Sequence, residues 1–339
     1  MVYHVKYNPQ TVKSITLMNI PVPNTEEQFP FLQIDTDSYI VGAEVQSGLN
    51  FNYSEGVHCI QIGKYCAFAD NITFLVNLNH DYKSVLLGSP GFLTLHSASR
   101  TRRKGSVLIQ NDVWIGHGAT IMGGITIHNG AIIGAESVVT KDVPAYTMAA
   151  GNPARIIGYR FDEEQRRAMN AIGWWNWPLD SLAQRQEDFI RPVEDFIEKY
   201  GREAEEKWNQ VIPAMEKGEK KTILFIADFE EPFSLWKKIL KEYYAMNRPQ
   251  TRLVLYICPP DAAKGCSKVL LEFLKDFEGQ EAEMILKEGK QDDDLRSLFA
   301  AADYFVTTRN KNNILWTEYA DHYDVKLLYG TDIPVFSFR

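Results

Sequence analysis

His80 stands in NLNHD, between Asn79 and Asp81, within residues 75–106, which interrupt an otherwise regular pattern. The unperturbed pKa of histidine lies near neutral pH, so a positioned imidazole can take a proton from a weak nucleophile such as an alcohol and return it to a leaving group. Such base catalysis supplies about 10²–10⁴-fold. Of the other histidines, His117 and His128 lie inside the regular pattern, with side chains expected to point away from its interior. His4, His58, His96 and His322 have no motif around them, although His96 shares the interruption with His80. The four cysteines, Cys59, Cys66, Cys258 and Cys266, form two distant pairs without CxxC spacing or neighbouring histidines. They are expected to be buried free thiols, and no metal is expected.

What must position His80 is an object with a period of six. From Ile109 the chain reads IQNDVW, IGHGAT, IMGGIT, IHNGAI, IGAESV and VTKDVP. The first place is always aliphatic, and the fifth is Val113, Ala119, Ile125, Ala131, Ser137 or Val143, small or β-branched each time. A strand alternates every two residues and a helix every 3.6, so a sustained six means a short strand plus a turn, with three strands closing one coil of a prism. First-place residues then point inward and stack on their equivalents one coil away. Gly116, Gly118, Gly124, Gly130 and Gly134 are expected at the corners, where the backbone bends tightly or takes positive φ. The same phase occurs earlier in IGKYCA and FADNIT, residues 62–73, closing on Phe74. A long loop inside such a regular solenoid is uncommon unless it has a function.

After PAYTMAAGNPARIIGYR the pattern gives way to FDEEQRRAMNAIGWWNWP and LDSLAQRQEDFIRPVEDFIEKYG, amphipathic helices expected to cover the open end, the first capped by Asp162. Trp174, Trp175 and Trp177 are read as packing rather than as a stacking platform. From Lys221, apolar runs at 222–228, 252–258, 284–287, 303–308 and 325–330 alternate with helical stretches, the signature of a small parallel, doubly wound sheet. The expected division is a β-helix at 1–160, a helical extension and linker at 161–218, and an α/β Rossmann-like domain at 219–339. KGEKK, residues 217–221, forms the linker.

Composition bounds the partners. The chain of 339 residues is 45% hydrophobic and 24% charged, with a net charge of −8 and no basic stripe, so nucleic acid is not an expected partner. No window is apolar enough for a membrane span and the N-terminus lacks the features of a signal peptide, which gives a cytoplasmic expectation.

The segments IGKYCAFADNITF, NLNHD, NDVWIGHGATIMGGITI, VVTKDVPAYTMAAGNPAR and RFDEEQ…WWNWP resemble the hexapeptide-repeat acyltransferases, specifically the xenobiotic branch that acetylates streptogramin A and chloramphenicol. The resemblance spans residues 30–185 and implies a left-handed parallel β-helix. It also implies acetyl transfer from acetyl-coenzyme A to a hydroxyl at the subunit interface of a homotrimer, with His80 as catalytic base. Asn79 and Asp81 become candidates for contacting the acceptor. Sugar acetyltransferases of the same superfamily contact coenzyme A from positions matching His117, Ala135, Thr140, Lys141 and Arg155. Backbone groups at His117 and Ala135 could pair with pantetheine amides, and Lys141 and Arg155 could meet phosphates. Trp114 would line the pantetheine groove or pack on the next subunit. Backbone N–H groups of the coils could serve the oxyanion.

The drug-modifying members carry tyrosines where this sequence has AEVQSG at 43–48, and a Ser-Thr-Tyr-Pro-Phe-like stretch where it has KSVLLGSPGF at 83–92. Those are acceptor-side positions, so the expected acceptor is a sugar or glycan hydroxyl, the antibiotics being the alternative. Residues 294–336 look like the closing portion of the nucleotide-sugar domain of two-domain glycosyltransferases, with Glu318 at the place of that domain's acidic residue. Only one Rossmann-like unit is present and no G-x-G-x-x-G follows TILFIAD, so glycosyl transfer by this chain alone is not expected. The α/β unit is instead read as a docking module, or as one that delivers the transferase to a glycan or to glycosyltransferase partners. A non-catalytic scaffold carrying a binding module is the third reading.

Overall fold

The computed structural model describes residues 2–8, 18–20, 32–47, 59–76, 105–229 and 234–338. The period of six becomes a three-faced prism. One face holds Leu32–Ile34, Ile60–Ile62, Val107–Ile109 and Ile125–Ile127. The next holds Ala67–Phe68, Trp114–Ile115, Ile132–Ile133 and Thr147–Ala150. The last holds Ile72–Val76, Thr120–Met122 and Val138–Val139. In the order in which the chain visits them, these are faces three, one and two. First-place residues pair with their equivalents one coil away, Ile127 with Ile109, Ile133 with Ile115 and Val139 with Ile121. All six, and every fifth-place residue, are buried in one continuous core. Each fully buried aliphatic side chain of this kind stabilises by about 1.5–3 kcal/mol.

The corners differ from the sequence expectation in one respect. Positive φ occurs at Gly118, Gly124 and Gly130, but also at Tyr65, Asn71, Asp112 and Glu136 in equivalent slots, so the left-handed turn is not reserved for glycine. Gly116 and Gly134 take no positive φ and serve another purpose. A Cβ on Gly116 would lie 2.6 Å from the Ala135 nitrogen, so glycine there lets neighbouring coils approach. At Gly130 both reasons apply: φ is +65° and a Cβ would meet the Tyr146 ring at 2.4 Å.

The open end is covered by helices Glu163–Ile172 and Val193–Asn209, which enclose Tyr146, Met169, Ile172, Trp175 and Phe196. Asp162 caps the first helix through a reciprocal capping box with Gln165. Trp174 and Trp177 pack against Phe189, Phe196 and Tyr200, so the tryptophans are packing.

The C-terminal layer is a five-stranded, wholly parallel sheet of Lys221–Ala227, Thr251–Ile257, Glu283–Glu288, Tyr304–Thr307 and Lys326–Tyr329, in spatial order third, second, first, fourth, fifth. Helices Trp236–Met246 and Cys266–Leu274 bury one side of it, and Arg296–Ala300 and Asn313–His322 the other. No described helix is long and apolar enough to cross a membrane.

Candidate functional site

Face two is bounded on each edge by the residues that sequence reasoning assigned to the cofactor. Along the edge shared with face one, His117 and Ala135 lie on adjacent coils, both exposed, and the Glu136 amide donates to the His117 carbonyl at 2.8 Å. On the edge shared with face three, exposed Thr140 and Lys141 follow Val139 directly. The turn after Thr147–Ala150 brings Arg155 to the same end of the prism, because the Ala154 amide donates to the Val138 carbonyl at 2.8 Å. The five residues therefore share one end of one face, with two cationic side chains directed into solvent.

His80, Asn79, Asp81 and His96 lie outside the described residues. On the N-terminal side of them the described residues of face two end at Val76, and on the C-terminal side they begin again at Gly105, beside Gly123. This is the corner that Thr140 and Lys141 occupy two coils further on.

Face one carries an apolar stripe on its outer surface. Tyr39, Ala67, Trp114, Ile132 and Met148 stand in register across successive coils. Trp114 is 56% exposed and Ile157, on the edge strand Arg155–Tyr159, is 70% exposed; Tyr39, Val41 and Tyr159 are also exposed.

Face three is covered, which the sequence did not signal. Its outward residues Gln33, Gln61, Leu108 and Thr126 are as buried as the inward ones, because the C-terminal layer packs on them. The Gln33 amide donates to the Arg309 carbonyl and that of Gln61 to the Asn310 carbonyl, both at 3.0 Å. Asn313 Nδ2 donates to Gln61 Oε1 at 2.7 Å, and Gln110 Nε2 to Asp321 Oδ2 at 2.6 Å. The hydroxyls of Thr126 and Tyr329 lie 2.7 Å apart.

Glu318, which the sequence sets at the place of the acidic residue of a nucleotide-sugar domain, joins all three parts of the chain. Its Oε1 accepts from Asn111 Nδ2 of the prism at 2.7 Å, and its Oε2 from Trp175 Nε1 at 2.8 Å and Asn176 Nδ2 at 3.1 Å in the cap. Burial pushes its carboxyl up to about 7, against the opposing pull of the Trp175 and Asn111 donors and the Lys64 charge. His128 also points outward, as expected, but onto Asp321 of the C-terminal layer, its Nδ1 2.7 Å from Oδ2. Burial opposes its charged form, yet Asp321, with Asp142 behind it, holds its pKa above the ordinary histidine value. His322 stacks on Trp208 with ring centroids 3.9 Å apart, and His4 is exposed on a strand opposite Glu44. Among the described residues no group of three or more His, Cys, Asp or Glu side chains could hold a metal.

Residues 106–141 match the family model described as bacterial transferase hexapeptide (six repeats). Over 130 residues the chain is 39% identical to a chloramphenicol acetyltransferase of Morganella morganii, covering 36% of this chain and 61% of that protein. Over 150 residues it is 35% identical to a probable macrolide acetyltransferase of Lysinibacillus sphaericus, covering 42% of this chain and 83% of the relative. The chain spans a little under two thirds of the length of the chloramphenicol acetyltransferases it matches. Among solved structures, a galactoside acetyltransferase in complex with coenzyme A is 32% identical over 32% of this chain and 48% of that chain, with a TM-score of 0.23.

Proposed function

This chain belongs to the hexapeptide-repeat transferase family, in the branch of the xenobiotic acetyltransferases, and we propose that it moves an acetyl group from acetyl-coenzyme A to a hydroxyl. The observation that carries this is the gathering of His117, Ala135, Thr140, Lys141 and Arg155 at one end of face two. Lys141 and Arg155 meet the cofactor's phosphates there, while the exposed backbone at the His117–Ala135 corner serves the pantetheine amides.

His80 follows Val76, the last described residue of face two, by four residues. Four residues of chain span at most about 14 Å, which ties the base to this face. His80 takes the proton of the acceptor hydroxyl as its oxygen attacks the thioester carbonyl. When the C–S bond breaks, the same imidazole returns the proton to the thiolate, so one group serves both halves of the transfer. Asn79 and Asp81, beside it, contact the acceptor.

The apolar stripe of face one is read as the contact with further copies of the chain, in a homotrimer. An exposed, contiguous apolar patch on an edge strand and its neighbours is otherwise a liability. The acceptor is a sugar or glycan hydroxyl. Glu44 and Gln46, bonded to each other on the outer side of face two, stand in the segment where drug-modifying members carry tyrosines, and they suit a polyhydroxyl partner. A second reading, acetylation of an antibiotic, is favoured by the names of the relatives. The C-terminal layer, of Rossmann-like order, is a docked wall of the prism, and neither delivery to a glycan nor glycosyltransferase partners is needed to explain it.

Titration calorimetry with coenzyme A tests the reading at its base. Saturable binding is expected for the full chain, with Lys141→Ala and Arg155→Ala each weakening it by about tenfold, or 1.4 kcal/mol. Absence of binding would move the chain to the scaffold reading.

A further inference from the structure

The cap meets the prism at Asp112, in the corner between faces three and one, and a cavity of about 360 Å³ opens there. This is the corner that the cofactor positions do not use. Its walls are Phe161, Met169, Trp174, Phe189, Val193 and Phe196, and its charged groups are Asp112, Arg160, Asp188 and Arg191. We propose that the cavity binds a neutral sugar residue, apart from the residues assigned to acetyl transfer. Its use, holding a glycan by a residue other than the one acetylated, rests on the glycan reading of the acceptor; the binding itself does not.

Two adjacent residues reverse the usual preference. On the turn Gln186–Ile190, Asp188 is 9% exposed while Phe189 beside it is 38% exposed. A buried carboxylate next to an outward phenyl ring is the informative departure from ordinary packing. Asp188 is fixed by helix Val193–Asn209, its Oδ2 accepting from Lys199 Nζ at 2.8 Å and from the Tyr200 hydroxyl at 2.6 Å. Across the cavity, Arg160 Nη1 donates to Asp112 Oδ2 at 2.8 Å and to the Gly130 carbonyl at 2.9 Å.

The lining charges, two guanidinium groups against two carboxylates, cancel. An anionic ligand meets the carboxylates and a cationic one the guanidinium groups, so neither is selected. A hydroxyl donates to a carboxylate and accepts from a guanidinium, and no existing bond need break, since a carboxylate has about four acceptor sites and a guanidinium five donors. The aromatic walls suit the rest of a pyranose, because the electron-rich ring faces attract its C–H groups. A purely aromatic ligand would fill the walls but strip water from the charged groups without replacing its hydrogen bonds. The volume lies within the range of about 300–1,000 Å³ typical of ligand sites.

Titration calorimetry of the full chain with oligosaccharides of glucose, galactose, mannose and N-acetylglucosamine tests the site. Saturable binding of at least one is expected, weakened about tenfold or more in Arg191→Ala, which loses a charged donor, and weakened also in Phe189→Ala. Arg191 is exposed, so its variant is expected to unfold with the natural chain by circular dichroism, and it is read alone if Phe189→Ala does not fold. Binding of none of these sugars overturns the proposal, as does sugar binding that Arg191→Ala leaves unchanged, which would place the sugar elsewhere. Chloramphenicol binding that is lost in Arg191→Ala, with no sugar able to compete, overturns it in favour of an aromatic ligand. A chain that binds sugar through Arg191 but transfers no acetyl group keeps the site and loses the glycan-acceptor reading.

Discussion

Replacing His80 by alanine is expected to lower acetyl transfer by about 10²–10⁴-fold while leaving the dissociation constant for coenzyme A unchanged. The separation follows from the layout of the prism. Lys141 and Arg155 are exposed at the end of face two, whereas His80 stands four residues after Val76 in the sequence, outside both of those positions. Cofactor affinity and proton transfer therefore draw on different residues. Steady-state rates with a fixed acceptor, set beside calorimetry on the same variant, measure both quantities. The acidic limb of the pH–rate profile, set by protonation of the base, is expected to vanish with the imidazole. A His80→Ala chain that retained its rate would leave the interruption of the repeat without a chemical role.

The largest effect on stability is expected from Trp175→Ala. This side chain is 1% exposed, packed among Tyr146, Met169, Ile172 and Phe196, and its ring centroid lies 5.7 Å from that of Trp174. Deleting it leaves a cavity under the cap, at a cost of about 3–5 kcal/mol. It also removes the 2.8 Å donor to Glu318 and leaves the second carboxylate oxygen to Asn176 alone. Trp175→Phe fills most of the volume but lacks the N–H, and is expected to cost about 1–3 kcal/mol, the range for a buried group that loses its hydrogen-bond partner. Denaturant midpoints followed by circular dichroism distinguish the two. If both variants unfolded with the natural chain, the cap would not hold the prism and the C-terminal layer together.

The prism was legible because its inward positions obey a strict rule. The narrow interior admits only apolar or small side chains, so the rule repeats at Ile109, Ile115, Ile121, Ile127 and Ile133, with Phe68 and Phe74 in the earlier coil. The parallel sheet was legible for a related reason: strands buried on both sides, such as Ile223–Ala227 within Lys221–Ala227, must be apolar throughout. The covering of face three was not legible. Gln33 and Gln61 between aliphatic residues, and Gln110 between Ile109 and Asn111, look like solvated positions, and their partners lie far along the chain, 276 residues away for Gln33 and Arg309. Hydrogen-bond complementarity over such separations leaves no period. Glu318 was singled out by its resemblance to a ligand-binding carboxylate, and its burial against Trp175 follows only from the docking of two layers. The cofactor positions sit at corners because a corner is where the repeat exposes backbone and permits charge.

The central claim is most directly tested by transfer of labelled acetyl from acetyl-coenzyme A, using the full chain and a panel of hydroxyl acceptors: simple sugars, glycan chains, chloramphenicol, streptogramin A and a macrolide. Mass spectrometry is expected to find one added acetyl group on a sugar or glycan, dependent on His80. Faster acetylation of a drug would contradict the acceptor assigned here, and no acetylated product from any member of the panel would contradict the enzyme itself.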